Sequence, residues 1–229
     1  MIIYYLGIVI IYYLPTLWVK LTLSKYDYEL QNMPFTGLEF GNSILEEKGL
    51  KEVTIQGEKK IGDHYNPTTK SVVVASERLD KKSLTSITVI CHEIGHAIQH
   101  NENYQPLIQR QKIISATKWI SNLGSIIFYI GIPAIIASGS FPFIRICLII
   151  AFFSVIINMV IHLITLNVEF DASFKRAMPI IKDKIPSQYH KACKSILKVC
   201  AFTYLVGAMT SFLNLRNIWL LIRLYLFRR

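Results

Sequence analysis

The sequence predicts a mostly α-helical, multi-pass membrane chain with a small α+β domain that carries its chemistry on one helix. Three observations predict this. Hydrophobic residues make up 52% of the 229 and charged residues only 17%, and the mean hydropathy is +0.38, so much of the chain is expected in lipid. Several tracts are long and uncharged enough to cross a bilayer. One stretch, Cys91-His92-Glu93-Ile94-Gly95-His96-Ala97-Ile98-Gln99-His100, sets two histidines and a carboxylate among apolar flanks. Burying such groups is costly unless something satisfies them.

Residues 1–19 read as an N-terminal transmembrane anchor, MIIYYLGIVIIYYLPTLWV before Lys20. About eighteen helical residues rise roughly 27 Å, enough for the hydrocarbon core. No positive charge precedes the run and no small-x-small site follows it, which favours an uncleaved anchor over a removed leader. Pro15 is placed to kink it.

Residues 20–118 form the expected soluble domain. Gly37 to Gly49 alternates apolar and charged positions and reads as a short amphipathic helix with a glycine stop. Lys51–Ile55 and Ser71–Ala75 are β-branched runs, hence strands. Between them Gly62-Asp63-His64-Tyr65-Asn66-Pro67 is a turn carrying a histidine and a tyrosine. Ser83 is the expected N-cap of a helix from Leu84 to His100, ended by Asn101 and Pro106.

Residues 119–166 are too long for one span. They break at Ser138-Gly139-Ser140-Phe141-Pro142, with Arg145 beyond, and read as a helical hairpin with spans at 119–138 and 144–166. Residues 167–198 form a basic loop or helix, and 199–229 a last apolar helix with a basic tail (Arg223, Arg228, Arg229).

The net charge of +10 points to lipid rather than nucleic acid because of where it sits. After the hairpin Lys175, Arg176, Lys182, Lys184, Lys191, Lys194 and Lys198 stand against Asp171 and Asp183. A short basic loop between spans is expected on the cytoplasmic side, against acidic lipid. The soluble domain, an even number of spans away, is then cytoplasmic as well. Cys91, Cys147, Cys193 and Cys200 make no C-x-x-C pair, so neither a disulfide framework nor a cysteine metal site is indicated.

Histidines four residues apart lie one turn apart on one helix face. His92 and His96 can therefore reach one metal, and Glu93 projects beside them toward a water on that metal. Two nitrogens, a third protein ligand and an open position suit zinc. Zinc makes water far more acidic, and a neighbouring carboxylate can take the proton. The pattern reads as metal-assisted hydrolysis, usually of a peptide bond.

A third ligand is needed. His100 lies about 12 Å along the helix from His92, out of reach. A longer His-Glu-x-x-His-x-x-Gly-x-x-His pattern fails because Gln99 and Glu102 occupy its last two fixed positions. The next carboxylates are Glu169 and Asp171, just after the hairpin. Glu169 is assigned to zinc. Asp171, two residues on, cannot readily face the same metal and is assigned to a supporting hydrogen bond or to Arg176. His64 and Tyr65 are candidates for substrate or oxyanion contacts, or simply for closing their turn. A strand edge beside such a site would hold an extended peptide by main-chain pairing.

These blocks together resemble the YugP-like family of membrane zinc metallopeptidases: Phe35-Thr36-Gly37, Asp63-His64-Tyr65-Asn66-Pro67, His92-Glu93-Ile94-Gly95-His96-Ala97-Ile98-Gln99, and Val168-Glu169-Phe170-Asp171-Ala172-Ser173 with Arg176-Ala177. The resemblance implies a multi-pass, largely bacterial membrane protein with a zincin-like domain, Zn2+ as cofactor and a protein or peptide substrate. A more distant similarity is to HtpX-type membrane proteases, whose second motif is Glu-x-x-Ala-Asp. Glu169 and Ala172 align with it, while Ser173 stands where that motif has Asp and is expected to weaken support of the ligands. Intramembrane site-two proteases fit less well, since their downstream Asn-Pro-Asp-Gly type motif is absent. The expected function is a zinc-dependent endopeptidase in a bacterial cell membrane, with a zinc-stabilised scaffold that performs no turnover as the rival.

Overall fold

A computed structural model of the chain describes residues 2–59, 62–138 and 143–226. The fold is mostly helical, with one small sheet. Helix α1 (Ile2–Lys25) contains Pro15 and continues past residue 19, where the expected anchor ends; the side chains of residues 1–12 lie outside the described set. So do residues 139–142, within the expected hairpin break, and the terminal Arg228 and Arg229.

Helix α2 (Gly37–Glu47) starts on a capping box, in which the Thr36 hydroxyl accepts from Glu39 N and the Glu39 carboxylate accepts from Thr36 N. It ends at Gly49, whose φ is +68°. Gly49 N donates to Glu46 O and Leu50 N to Leu45 O, the paired closure that a left-handed residue permits. Leu45 and Leu50 are both buried there.

The sheet holds β1 (Thr54–Glu58), β2 (His64–Asn66) and β3 (Ser71–Ala75), in the order β1-β3-β2. β1 runs parallel to β3, and β2 antiparallel to it. β1 begins three residues later than the β-branched run predicted, and the segment expected to be only a turn supplies β2. Hydrogen bonding to β3 decides both points: Thr54 registers with Ser71, and His64 with Val73. Val72, Val73 and Val74 are all buried, as befits a central strand. Asp63 anchors the turn before β2 by accepting from Ala75 N at 2.9 Å and from Arg78 Nε at 3.1 Å.

Helix α3 (Glu77–Asp80) is one turn. Helix α4 (Leu84–Asn101) is capped by Ser83, whose hydroxyl accepts from Ser86 N at 3.0 Å. It is buried on nearly every face. Ile87, Ile90 and Ile94 join Phe40 and Ile44 of α2 and Val72 and Val74 of β3 in one core.

Helix α5 (Gln105–Ile126) begins one residue before Pro106, which starts this helix as well as following the end of α4. A π-helical turn (Ile127–Gly131) leads into α6 (Ile132–Ser138). Helix α7 (Ile144–Phe170) runs directly into a second π-helical turn, Asp171–Ala177, and then α8 (Met178–Lys184). A 3-10 turn (Ser187–Tyr189) precedes α9 (His190–Leu226). Residues 167–198, expected as a basic loop or helix, are helical for most of their length.

Three helical stretches among the described residues are long and apolar enough to cross a membrane: Gln105–Ile135, Ile146–Lys184 and Ser187–Met209. The chain divides into two compact units. The first comprises 1–108 and 166–203, and its core also takes in Ile181, Ile196 and Leu197. The second comprises 109–165 and 204–229, with Ile144, Leu148 and Ala151 at its centre. Trp119, Tyr129, Phe143, Phe153 and Trp219 of that second unit are exposed, an outward apolar surface suited to lipid.

Candidate metal centre

The centre is built by α4 and the junction of α7 with its π-helical turn. His92 and His96, one turn apart on α4, turn their Nε2 atoms toward one oxygen, Glu169 Oε2, each at 3.2 Å. One ligand atom from each of the three residues lies within 4.8 Å of the others. All three side chains are buried, at 4%, 7% and 2% exposure. Ligands about 2.1 Å from a tetrahedral metal stand roughly 3.4 Å apart, close to the spacing seen here.

The other ring nitrogens show what the converging atoms are. His96 Nδ1 lies 2.9 Å from Gln99 Oε1. Gln99 Nε2 donates to Val168 O at 2.8 Å and to Asp171 Oδ2 at 2.9 Å. His92 Nδ1 lies 3.0 Å from Ser173 Oγ, and that hydroxyl donates to Leu197 O at 3.3 Å. Both Nδ1 atoms therefore donate, which leaves both Nε2 lone pairs aimed at a carboxylate oxygen. Acceptors meeting acceptors need a proton or a cation between them. Two imidazoles and one carboxylate are a donor set that fits zinc.

Electrostatics agree with that convergence. Burial pulls the His96 imidazole down, and the carboxylates of Glu169 and Glu93 and the Gln99 bond outweigh it, bringing it to about 9. Glu93 is buried at 6% exposure. Burial raises its pKa, His92 and His96 pull it back, and Glu169 and Asp63 raise it further. A carboxylate raised this way holds a proton more readily than one in water, as a proton acceptor in hydrolysis must. Cys91, buried beside these residues, has its thiol pushed up by desolvation and donates to Ala177 O at 3.6 Å, so it packs.

The structure brings His92, Glu93, His96 and Glu169 together and sets Asp171 beside them as a hydrogen-bond acceptor. Asp171 Oδ2 takes Arg176 Nε at 2.6 Å as well as Gln99. His64 and Tyr65 make other contacts. His64 Nδ1 bonds Gly62 O at 2.8 Å within its turn, and Tyr65 OH meets His100 Nδ1 at 2.9 Å. Ser173, expected to be poor support, reaches His92 with its hydroxyl. Gln99 was missed as a partner of the site. Its one signal in the sequence is a polar residue three positions after His96, on the same helix face as both histidines.

Gly95 lets the two halves meet. A Cβ there would lie 2.8 Å from Ala172 O, so α4 and the π-helical turn touch backbone to backbone. The turn also brings Asp171 and Arg176 together. In an α-helix residues five apart diverge by roughly 140°, whereas π-helical i→i+5 bonding stacks them.

Comparison with known proteins agrees with this chemistry. The chain is 31% identical over 199 residues, 86% of its length and 85% of the relative's, to "Putative membrane protease YugP" of Bacillus subtilis (strain 168). No solved structure matches it. The model of a family described as "Putative neutral zinc metallopeptidase" matches residues 1–223, and the chain belongs to that family.

Proposed function

We propose that the protein is a membrane-embedded zinc endopeptidase in which His92, His96 and Glu169 hold the metal and Glu93 is the general base. The observation that carries this reading is the convergence of two buried imidazole nitrogens and one carboxylate oxygen, with a second, pKa-raised carboxylate next to them on α4. Zinc bound there would supply a Lewis acid that acidifies water and polarises a peptide carbonyl. Glu93 accepts the proton of the attacking water and delivers it to the departing amine. Ser173 and Gln99 accept from the Nδ1 atoms of His92 and His96, which leaves both Nε2 atoms to face the metal. The substrate is a protein or peptide, and the apolar helices favour one at the membrane.

Exposed Lys175, Lys182, Lys191, Lys194 and Lys198 support a cytoplasmic, acidic-lipid-facing placement of the first unit by the positive-inside rule, and the long apolar stretches support a multi-pass topology. Reactivity of introduced cysteines from each side of sealed vesicles checks both.

The test pairs zinc content with cleavage of casein in detergent for wild type, Glu93→Gln and Glu169→Ala. Glu93→Gln is expected to keep one zinc and lose about 10²–10⁴-fold in rate, while Glu169→Ala loses zinc. Zinc without cleavage by wild type, on casein and on membrane substrates alike, would support a zinc-stabilised scaffold. Zinc loss in Glu93→Gln would make Glu93 a ligand.

A further inference from the structure

We propose that Gln99 is a positioning residue for the metal centre, whose amide, clamped by Val168 and an Asp171–Arg176–Glu102 chain, commits His96 to carrying its proton on Nδ1 and so presents Nε2 to the metal. The inference rests on the reading of His96 as a ligand.

Gln99 is fully buried, and an amide in that position has two chemically different ends. Both neighbours of its Nε2, the Val168 carbonyl and the Asp171 carboxylate, only accept. The nitrogen must face them, so Oε1 must face His96. An amide oxygen cannot donate, so the proton on that contact belongs to His96 Nδ1. A hydrogen bond on one ring nitrogen fixes the role of the other.

The amide is itself held in place. Asp171 Oδ2 accepts from Arg176 Nε at 2.6 Å, and Arg176 Nη1 donates to Glu102 Oε2 at 2.7 Å. Lys175 Nζ lies 3.9 Å from Asp171 Oδ1, and the Arg176 guanidinium sits over the Tyr104 ring at 5.3 Å. Glu102 is the C-cap of α4, so the chain leaves α4 at Gln99, crosses the π-helical turn and returns to the end of the same helix. A carboxylate at position 99 would also accept from His96, but it would press its second oxygen against two acceptors. Glutamine serves both sides.

The experiment removes the acceptor that faces His96. Zinc affinity is measured by competition with a chromogenic chelator, and the Co2+ absorption bands are recorded, for full-length protein in detergent. Gln99→Met, which fills nearly the same space without an acceptor, is expected to weaken zinc by about 10–100-fold and to shift the Co2+ bands. A residue that merely fills space would show neither change. Unchanged affinity and unchanged bands in Gln99→Met overturn the proposal. If Gln99→Met does not fold, zinc-loaded wild type labelled with 15N-histidine decides. A proton on Nδ1 of His96 supports the proposal and a bare Nδ1 overturns it. Wild type that binds no zinc overturns the reading of the centre itself, a different failure from zinc binding that ignores position 99.

Discussion

The polar side chains buried around the centre of the first compact unit and Thr165, buried in the second, are satisfied in opposite ways. Around the centre of the first, His92, Glu93, His96, Gln99, Glu169, Asp171 and Ser173 are all buried, and Gln99 and Ser173 carry bonds from one element to another. In the second, the buried polar side chains among the described residues are Ser154, Thr165 and Ser211. Thr165 donates to Ile161 O, one turn back on its own helix, at 2.7 Å, and the half-buried Thr117 does the same to Ile113 O. A hydroxyl satisfied within its own helix says nothing about the neighbouring helix. One satisfied across an interface fixes both partners, and only that kind can set ligand geometry.

The largest expected break is Gly95→Ala. The added methyl meets Ala172 O at 2.8 Å and Ala172 C at 3.3 Å, backbone atoms that no rotamer change can clear. Overpacking of this kind costs roughly 1–3 kcal/mol. Because relief requires α4 and the π-helical turn to part, Glu169 moves away from the histidines and zinc affinity falls too. Thermal melts with and without zinc should show a lower midpoint and a smaller zinc-induced rise. A normal zinc response in Gly95→Ala would mean that the close approach does not govern the ligand set.

How much of this was legible beforehand follows the same division. The His92-Glu93-x-x-His96 spacing shows itself because helical period and metal chemistry are both local, and Glu169 follows from a shortage of other carboxylates. Gln99 stayed hidden because its partners, Val168 and Asp171, are some seventy residues away and only packing joins them. The π-helical turn left no mark either: Asp171–Ala177 reads as ordinary helix, and its widening shows only once it lies against Gly95. β2 reads as plain turn because three residues carry no periodicity, and pairing with β3 is what makes them a strand. Tyr65 stands out as a tyrosine in a turn, but its bond to His100 depends on which way that edge strand faces.

Ser173→Ala is the intermediate case. It removes a buried hydroxyl that links His92 Nδ1 to Leu197 O and leaves the imidazole proton without that acceptor. An unpaired buried donor costs roughly 1–3 kcal/mol, and losing the outer partner of a metal-binding histidine typically costs about 10–100-fold in affinity. The checks are a chelator-competition titration and a melt of the metal-free protein. Full zinc affinity in Ser173→Ala would show that His92 needs no such partner, and the contrast between the units would then rest on Gln99 and Gly95 alone.

The smallest expected effect is Thr165→Val. Thr165 is as buried as Ser173, at 1% against 0% exposure, yet its hydroxyl goes only to Ile161 O. That carbonyl keeps its ordinary helical partner when the hydroxyl is gone, so no group is orphaned. Such back-bonding within a helix is itself slightly unfavourable, and a valine fills nearly the same space. The change in stability should stay within about 0.5 kcal/mol, with zinc affinity unmoved, as read by the same melt and titration. Equal losses from Thr165→Val and Ser173→Ala would mean that burial of a hydroxyl sets its worth. A loss confined to Ser173→Ala would mean that what the hydroxyl connects sets it.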